Sequence, residues 1–145
     1  MRCVNPCYRQ TKGLKGLSGR VISVVIPTQE TERLLMPALA ALVPGAAAGV
    51  VREVLLVDGG ALSTIEEIAD AAGCEYLRGP ADGGARLRQG AAAARSPWLL
   101  FLEPCGLLQE AWAREVRNFT DQAERHGGTE RRAATFRLAL AGFGV

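Results

Sequence analysis

Zinc-binding and hydrolytic motifs are missing from this sequence. It has one histidine, His126, and its four cysteines form no C-x-x-C pair, so the ligand spacing of a structural zinc site is not present. No G-x-S-x-G motif occurs, and a single histidine disfavours a Ser-His-Asp triad. Cys74 and Cys105 fall in apolar runs of the sequence, where buried thiols would behave as small hydrophobic groups, and this cysteine usage favours a reducing, cytoplasmic location.

Glycine-rich phosphate motifs are also absent. A dinucleotide fold needs G-x-G-x-x-G directly after its first strand, but the turn after the first apolar run reads Pro27-Thr28-Gln29-Glu30. No G-x-x-x-x-G-K-[ST] segment occurs. These absences disfavour a dehydrogenase or a methyltransferase and give no support to phosphate-loop nucleotide hydrolysis.

The chain has no long apolar run and little excess charge. Its apolar stretches, such as 21–27 and 98–102, are far shorter than the about 20 residues that a membrane-spanning helix needs. The net charge of +2 hides five basic and no acidic residues in 1–20, against 12 basic and 15 acidic residues in the rest. A mildly acidic body argues against nucleic-acid binding. We expect 1–20 to be a disordered basic leader, which could still contact an anionic membrane surface, and 21–145 to be one domain.

The body of the sequence alternates between strand and helix patterns. Apolar runs predict strands at 21–26 (β-branched, ended by Pro27), 50–57 and 98–102; 75–77 is predicted as a short strand, and an alternating pattern predicts another at 135–140. Apolar spacings of three and four predict helices after Thr31, over 64–72 and along a stripe from Leu108 to Ala123, and a high alanine content predicts one over 85–95. The segment 44–49 is predicted as a loop, and Pro37 is expected to delay or kink the first helix. The order predicts an α/β, Rossmann-like, mainly parallel sheet with helices on both faces.

Ligands of such sheets bind beyond the carboxyl ends of the strands, which selects the loops 27–30, 58–60, 77–84 and 103–106. Asp58 ends the second strand and could accept a hydrogen bond from a base or a sugar hydroxyl. It could equally hold its own turn, with Gly59 and Gly60 supplying a permissive backbone. Both interpretations stay open on the sequence alone.

Four further charged residues could either contact a ligand or have an ordinary structural role. Arg86 and Arg88 follow a glycine pair at a helix start, where they could meet a diphosphate or form a solvated face. Glu30 could contact a ligand or stabilise a helix dipole. Glu103 could reach a metal ion or a sugar hydroxyl, but Cys105 offers sulfur where a hard cation prefers oxygen. No residue stands out as a general base.

Taken in order, four segments resemble the nucleotide-sugar-binding half of family 2 glycosyltransferases, which have a GT-A fold. The segments are Val24-Val25-Ile26-Pro27-Thr28, Glu53-Val54-Leu55-Leu56-Val57-Asp58-Gly59-Gly60, Arg88-Gln89-Gly90-Ala91 and Leu99-Leu100-Phe101-Leu102-Glu103-Pro104-Cys105. The resemblance covers roughly residues 21 to 140.

The resemblance implies a domain that binds a nucleoside diphosphate sugar and transfers the sugar to an acceptor that the sequence does not identify. It implies binding roles for Pro27, Thr28, Glu30, Asp58, Gly59, Arg88 and Glu103, and a divalent ion, Mg²⁺ or Mn²⁺, on Glu103. Cys105 stands where the family has the second aspartate of its Asp-x-Asp motif. Family members continue past this point into the acceptor site and catalytic base, so the alternative is a truncated or inactive domain that binds only a nucleotide sugar or a protein partner.

Overall fold

Strands and helices alternate regularly in the computed structural model, which describes residues 21–61, 63–125 and 132–137. In chain order the elements are β1 (Ile22–Thr28), α1 (Glu32–Ala47), β2 (Val51–Asp58), α2 (Thr64–Ala72), β3 (Glu75–Arg78), α3 (Gly83–Ala93), β4 (Trp98–Phe101) and α4 (Trp112–Arg125). The four strands are all parallel and lie in the order β3-β2-β1-β4. The predicted α/β class and the parallel sheet are confirmed.

Helices cover both faces of the sheet, as predicted. On one face Ile22, Val24 and Ile26 of β1 pack into the larger core cluster, which includes residues of α1, α2 and the start of α4. On the other face Val25 of β1, with Leu55 and Val57 of β2, packs against α3. Because successive side chains of a strand point to opposite faces, these two sets define three layers.

Strand β1 continues through Pro27, where the sequence had predicted its end. Val25 lies opposite Phe101 of β4, and its carbonyl accepts a hydrogen bond from Leu102 N at 3.1 Å. Backbone groups alternate between the two neighbouring strands, so the nitrogen of Pro27 faces the side of β4, which has already ended at Phe101. The missing N–H therefore removes no ladder bond, and the strand can extend to Thr28.

The first helix tolerates two prolines, which corrects the predicted loop over 44–49 and the predicted delay at Pro37. Helix α1 begins at Glu32 and contains both Pro37 and Pro44, which lie on its exposed side. Its buried stripe, which packs on the sheet, consists of Leu35, Ala38, Leu39, Leu42 and Gly45. Tertiary packing of this stripe holds the helix although two backbone hydrogen bonds are lost.

Other sequence predictions differ at the ends of elements. The segment Ser63-Thr64-Ile65-Glu66 has the sequence pattern of a capping box, and Thr31 is a typical N-cap residue. Ser63 and Thr31 do occupy N-cap positions, but neither side chain makes a capping hydrogen bond. Helix α4 begins at Trp112, and Leu108 precedes it. Residues 132–137 form no strand, and the rest of the predicted strand at 135–140 lies outside the described residues, as does the predicted leader, 1–20.

Helix α3 lies unusually close to the sheet because residue 90 is glycine. A methyl group at Gly90 would overlap Val25 Cγ1 and lie 3.1 Å from Val57 Cγ2. This close approach fixes the position of α3 on its face of the sheet. It thereby sets where the loop between β3 and α3 meets the carboxyl edge.

Candidate functional site

The order in which the strands are added to the sheet reverses at β1. From β1 the chain moves to β2 and then to β3, and the connection through α3 carries it back past β1 to β4. Loops that leave neighbouring strands in opposite directions open a crevice at the carboxyl edge, and ligands bind there in open α/β sheets. Four loops meet at this edge in the structure: those after Thr28, Asp58, Arg78 and Phe101.

Asp58 is the most constrained acidic group at this edge. It is 0% exposed, and it lies directly opposite Thr28 of β1. Its Oδ1 accepts hydrogen bonds from Thr28 Oγ1 at 3.1 Å and from the backbone N–H of Gly60 at 3.1 Å. Its Oδ2 is buried and has no hydrogen-bond partner among the described residues. One oxygen therefore holds the turn, and the other remains an unused acceptor.

The backbone nitrogen of Glu30 and the α-carbon of Gly60 lie close to the Asp58 carboxylate. A methyl group at Gly60 would lie 3.3 and 3.4 Å from the two carboxylate oxygens and 3.6 Å from the backbone nitrogen of Glu30. The Glu30 side chain is exposed, and its backbone has φ 52°, a left-handed conformation that costs of order 1 to 3 kcal/mol for a residue with a side chain. A backbone nitrogen and a carboxylate thus border the same space, which a side chain at residue 60 would reduce.

Gly59 and Arg86 form the other side of the turn. The Arg86 side chain donates from Nη1 to the carbonyls of Pro80 at 2.9 Å and Ala81 at 2.7 Å. A methyl group at Gly59 would overlap that Nη1 atom. Sequence reasoning treated Gly59 as a source of backbone freedom, but its φ lies outside the left-handed range. Glycine at this position is required by the neighbouring guanidinium instead.

Glu103 and Cys105 lie on the far side of β1 from Asp58. Continuing the register of β4 places Glu103 level with Pro27, about 10 Å or two strand spacings from β2. Both side chains are exposed, the intervening Pro104 is buried, and Gly106 N donates to Glu103 O at 2.8 Å. The structure places Glu103 at the same edge as Asp58, whose hydrogen bonds are made to Thr28 and Gly60 on the β1–β2 side.

Arg88, the predicted diphosphate contact, points away from the Asp58 turn. It is exposed, and its Nη2 lies 3.9 Å from Asp82 Oδ1, with both side chains 72% exposed. Asp82 caps α3 by accepting a hydrogen bond from Ala85 N at 2.7 Å. The structure therefore does not bring Arg88 into contact with Asp58, whereas Arg86 lies beside the turn.

A cavity of about 370 Å³ lies elsewhere, between α1 and α2. Its lining is Met36, Thr64, Glu67, Ile68, Ala71 and Ala72. None of these residues belongs to the four loops at the carboxyl edge.

Within the described ranges, no group of three or more His, Cys, Asp or Glu side chains could hold a metal ion. No helix in these ranges is long and apolar enough to span a membrane.

Comparison with known proteins identifies the fold. No protein-family model and no curated protein matches the sequence. Solved structures do match. TarS of S. aureus has a TM-score of 0.59 at 17% identity, over 72% of this chain and 20% of TarS. Glucosyl-3-phosphoglycerate synthase from Mycobacterium tuberculosis, in complex with Mn²⁺, uridine diphosphate and glucosyl-3-phosphoglycerate, has a TM-score of 0.52 at 22% identity, over 65% of this chain and 40% of that one.

The similarity establishes a shared architecture. A second structure of the same synthase, in complex with phosphoglyceric acid, gives a TM-score of 0.52 at 25% identity, over 59% of this chain and 34% of that one. The chain has the Rossmann-like GT-A fold that the sequence predicted. It spans between 20 and 40% of the length of these structures, so their activities do not transfer to it directly.

One contributor to the site was missed by sequence reasoning, and one was anticipated. The Gly60 N–H that holds Asp58 Oδ1 makes the turn that the sequence offered as one interpretation of Asp58. The sequence allowed Arg86 to be a solvent-exposed arginine on the surface of its helix, but its side chain is buried, with 7% of the residue exposed. A signal for Arg86 was available, because it precedes Gly90 by four residues and so lies on the same face of α3, the face that packs on the sheet.

Proposed function

We propose that this domain binds a nucleoside diphosphate sugar and serves as the donor-binding part of a glycosyltransferase. The observation that carries this proposal is Asp58, whose buried carboxylate has one oxygen fixed by Thr28 and Gly60 and the other without a partner among the described residues. Leaving a buried acceptor unsatisfied costs about 1 to 3 kcal/mol. A ligand N–H or hydroxyl that reaches Oδ2 would offset this cost.

We assign the nucleoside to the polar groups around Gly60. The Asp58 carboxylate accepts hydrogen bonds and the Glu30 backbone nitrogen can donate one, and both border the same space next to Gly60. A base or ribose that carries adjacent donors and acceptors matches this pair. Support for a uridine nucleotide comes from the fold, since the M. tuberculosis synthase of similar structure was crystallised with uridine diphosphate. Pro27 and Gly59 border the same edge of β1 and β2.

The remaining contacts are assigned to the outer parts of the donor. Glu103, exposed on the β4 side of the edge, would meet a sugar hydroxyl. Arg88, exposed on the second turn of α3, would have to leave Asp82 to meet a diphosphate. In the transfer itself, the acceptor oxygen forms a bond to the anomeric carbon while the bond to the diphosphate breaks, and the nucleoside diphosphate leaves with the electron pair. We assign no described residue as the base that takes the acceptor proton.

A hard divalent ion does not fit the protein groups alone. The residues at the expected position are the Glu103 carboxylate and the Cys105 thiol, and the described residues provide no cluster of three potential ligands. Mg²⁺ and Mn²⁺ prefer oxygen, so the thiol is a poor replacement for a second carboxylate. No step of the proposed reaction is therefore assigned to a metal ion.

Calorimetric titration of the 145-residue chain tests the proposal. Uridine diphosphate, and uridine, guanosine and thymidine diphosphate sugars, are titrated with and without Mn²⁺ into the wild type, Asp58→Asn and Asp70→Asn. The amide introduced by Asp58→Asn would present a donor where the carboxylate has only acceptors, so we expect about a tenfold or larger loss of affinity. Asp70, exposed on α2, is the control and should leave binding unchanged.

Two results would contradict the proposal. The first is that the wild type binds none of the nucleotides. The second is that Asp58→Asn binds them as tightly as the wild type does. Binding without hydrolysis or transfer would instead favour the alternative, a domain that only binds its nucleotide sugar. The exposed Cys105 at the metal position is the observation that favours this alternative.

A further inference from the structure

Arg86 is a buried cation without an acidic partner. Its side chain lies on α3 and is 7% exposed, yet no ion pair among the described residues involves it. Its Nε is buried and makes no hydrogen bond within the described part of the chain. Burial of a charge is costly unless the charge is paired, and an apolar side chain of similar size would fill the same space at lower cost. A core-packing role alone therefore does not explain a guanidinium here.

Two backbone loops converge on this guanidinium. Nη1 donates to the carbonyls of Pro80 and Ala81, which belong to the loop between β3 and α3. On the opposite side, a methyl group at Gly59 would overlap Nη1 and lie 2.8 Å from the Pro80 carbonyl oxygen. A methyl group at Gly79 would lie 2.9 Å from Arg86 Cγ. The chain thus has glycine at both positions where a larger residue would displace Arg86.

The same glycines connect Arg86 to Asp58 through the backbone. Gly79 N donates to the Asp58 carbonyl at 2.7 Å, and Gly59 N donates to the Thr28 carbonyl at 2.9 Å. The next N–H along the chain, from Gly60, holds Asp58 Oδ1. Movement of Gly59 would therefore change the orientation of the Asp58 carboxylate.

We infer that Arg86 is a positioning residue, which fastens the loop 79–82 against the Asp58–Gly60 turn and keeps Asp58 Oδ2 oriented toward the ligand. The part of this inference that concerns the ligand rests on the proposed nucleotide binding. The part that concerns the turn does not, because it predicts an ordered backbone in the free protein.

Amide hydrogen exchange, followed by NMR, measures the effect on the turn without any ligand. In Arg86→Met we expect the exchange of the Gly59 and Gly79 amides to become about tenfold or more faster, because both hydrogen bonds depend on the fastened loop. Amides in the centre of the sheet, at Ile26 and Leu56, should change less. The exchange rates of these amides in Arg86→Lys should lie between those of the wild type and of Arg86→Met, since the ammonium group keeps the charge but lacks the planar guanidinium. Arg114→Met, at a 72% exposed arginine of α4, is the matched control.

A double-mutant cycle separates positioning from general destabilisation. Gly59→Ala alone should accelerate exchange at Gly79 and weaken uridine diphosphate binding, because the new methyl group displaces Arg86. In an Arg86→Ala background the overlap with Nη1 is removed and only the 2.8 Å contact with the Pro80 carbonyl remains, so the combined effect should be smaller than the product of the two single effects. Uridine diphosphate affinity, measured by calorimetry, should fall about tenfold or more in Arg86→Met and in Gly59→Ala.

The outcomes are distinguishable. Unchanged exchange at Gly59 and Gly79 in Arg86→Met would overturn the inference, and so would an equal acceleration at all amides of the sheet. Local acceleration with unchanged nucleotide affinity would overturn the link to the ligand. If the wild type binds no nucleotide, the proposed function fails, and the exchange data still decide whether Arg86 holds the turn.

Discussion

The buried carboxylate of Glu53 should make a large contribution to stability. Its side chain is 5% exposed, and its Oε1 accepts hydrogen bonds from Ser23 Oγ at 2.5 Å and from Arg95 N at 2.6 Å. Its Oε2 accepts a third from Arg95 Nε at 2.5 Å. Glu53→Gln keeps the shape but replaces one acceptor with a donor that faces the Arg95 guanidinium. Hydrogen bonds to charged groups contribute about 1.5 to 3 kcal/mol each, and Arg95 is 61% exposed, so we expect a net loss of about 2 to 4 kcal/mol.

The pH dependence of unfolding gives an independent measure of the same group. Burial raises the pKa of Glu53, but the hydrogen bonds from Ser23 and Arg95 and the charge of Arg95 outweigh it, so the pKa lies below its ordinary value of 4.5. An acid with a lowered pKa stabilises the folded state above its unfolded pKa, and this stabilisation is lost as the pH falls through the folded pKa. The wild type should therefore lose stability below about pH 4.5, and Glu53→Gln should lose less.

Urea unfolding at pH 7 and at pH 3 tests both expectations. Glu115→Gln is the control, since Glu115 is 63% exposed and lies 3.8 Å from an exposed arginine. The reasoning is refuted if Glu53→Gln unfolds within about 0.5 kcal/mol of the wild type at pH 7, the range typical of surface substitutions. It is also refuted if the variant and the wild type show the same loss between pH 7 and pH 3.

Two further predictions concern packing and the metal position. Gly90→Ala should destabilise the fold by about 1 to 3 kcal/mol in urea unfolding, because its methyl group overlaps Val25 Cγ1. The control is Gly84→Ala, whose methyl group has no contact closer than 3.4 Å and which should be neutral or slightly stabilising. Equal effects of the two substitutions would contradict this prediction. Cys105→Asp should raise the affinity for Mn²⁺ in the presence of uridine diphosphate by about tenfold or more, because it adds a hard oxygen ligand near Glu103, and Cys105→Asn, of the same shape but without the charge, is the matched control. Equal Mn²⁺ affinity in these two variants would count against Glu103 as a metal ligand.

The sequence predicts the fold well because the strands of a parallel sheet are buried on both faces. Continuous apolar runs therefore mark β1 and β2 directly, and the spacing of three and four marks the helix stripes. The prediction fails for α1, where Pro37 and Pro44 lie within the helix. Local propensity is a weak guide there, because burial of Leu35, Leu39 and Leu42 outweighs the lost backbone hydrogen bonds.

The site is predicted less completely because its contacts depend on the direction of each side chain. Asp58, Thr28 and Glu30 follow from their place at the carboxyl edge. Arg86 and Arg88 have the same charge and lie on the same helix, but residues two apart on a helix face different ways. The close contact of Gly90 with the sheet fixes which side of α3 faces the sheet, and so Arg86 is buried and Arg88 is exposed.

Three unusual features of the described structure lie close to one turn, while Ala111 before α4 also has a left-handed backbone and Ser96 Oγ is also buried without a hydrogen-bond partner. Asp58 has a buried oxygen without a partner, Arg86 has a buried charge without an acid, and Glu30 has a left-handed backbone. Each of these features costs stability. All three occur within or beside the loops that follow β1, β2 and β3 at the carboxyl edge of the sheet. Since departures from good packing rules persist where function requires them, their coincidence at this edge favours ligand binding over a purely structural role for the turn.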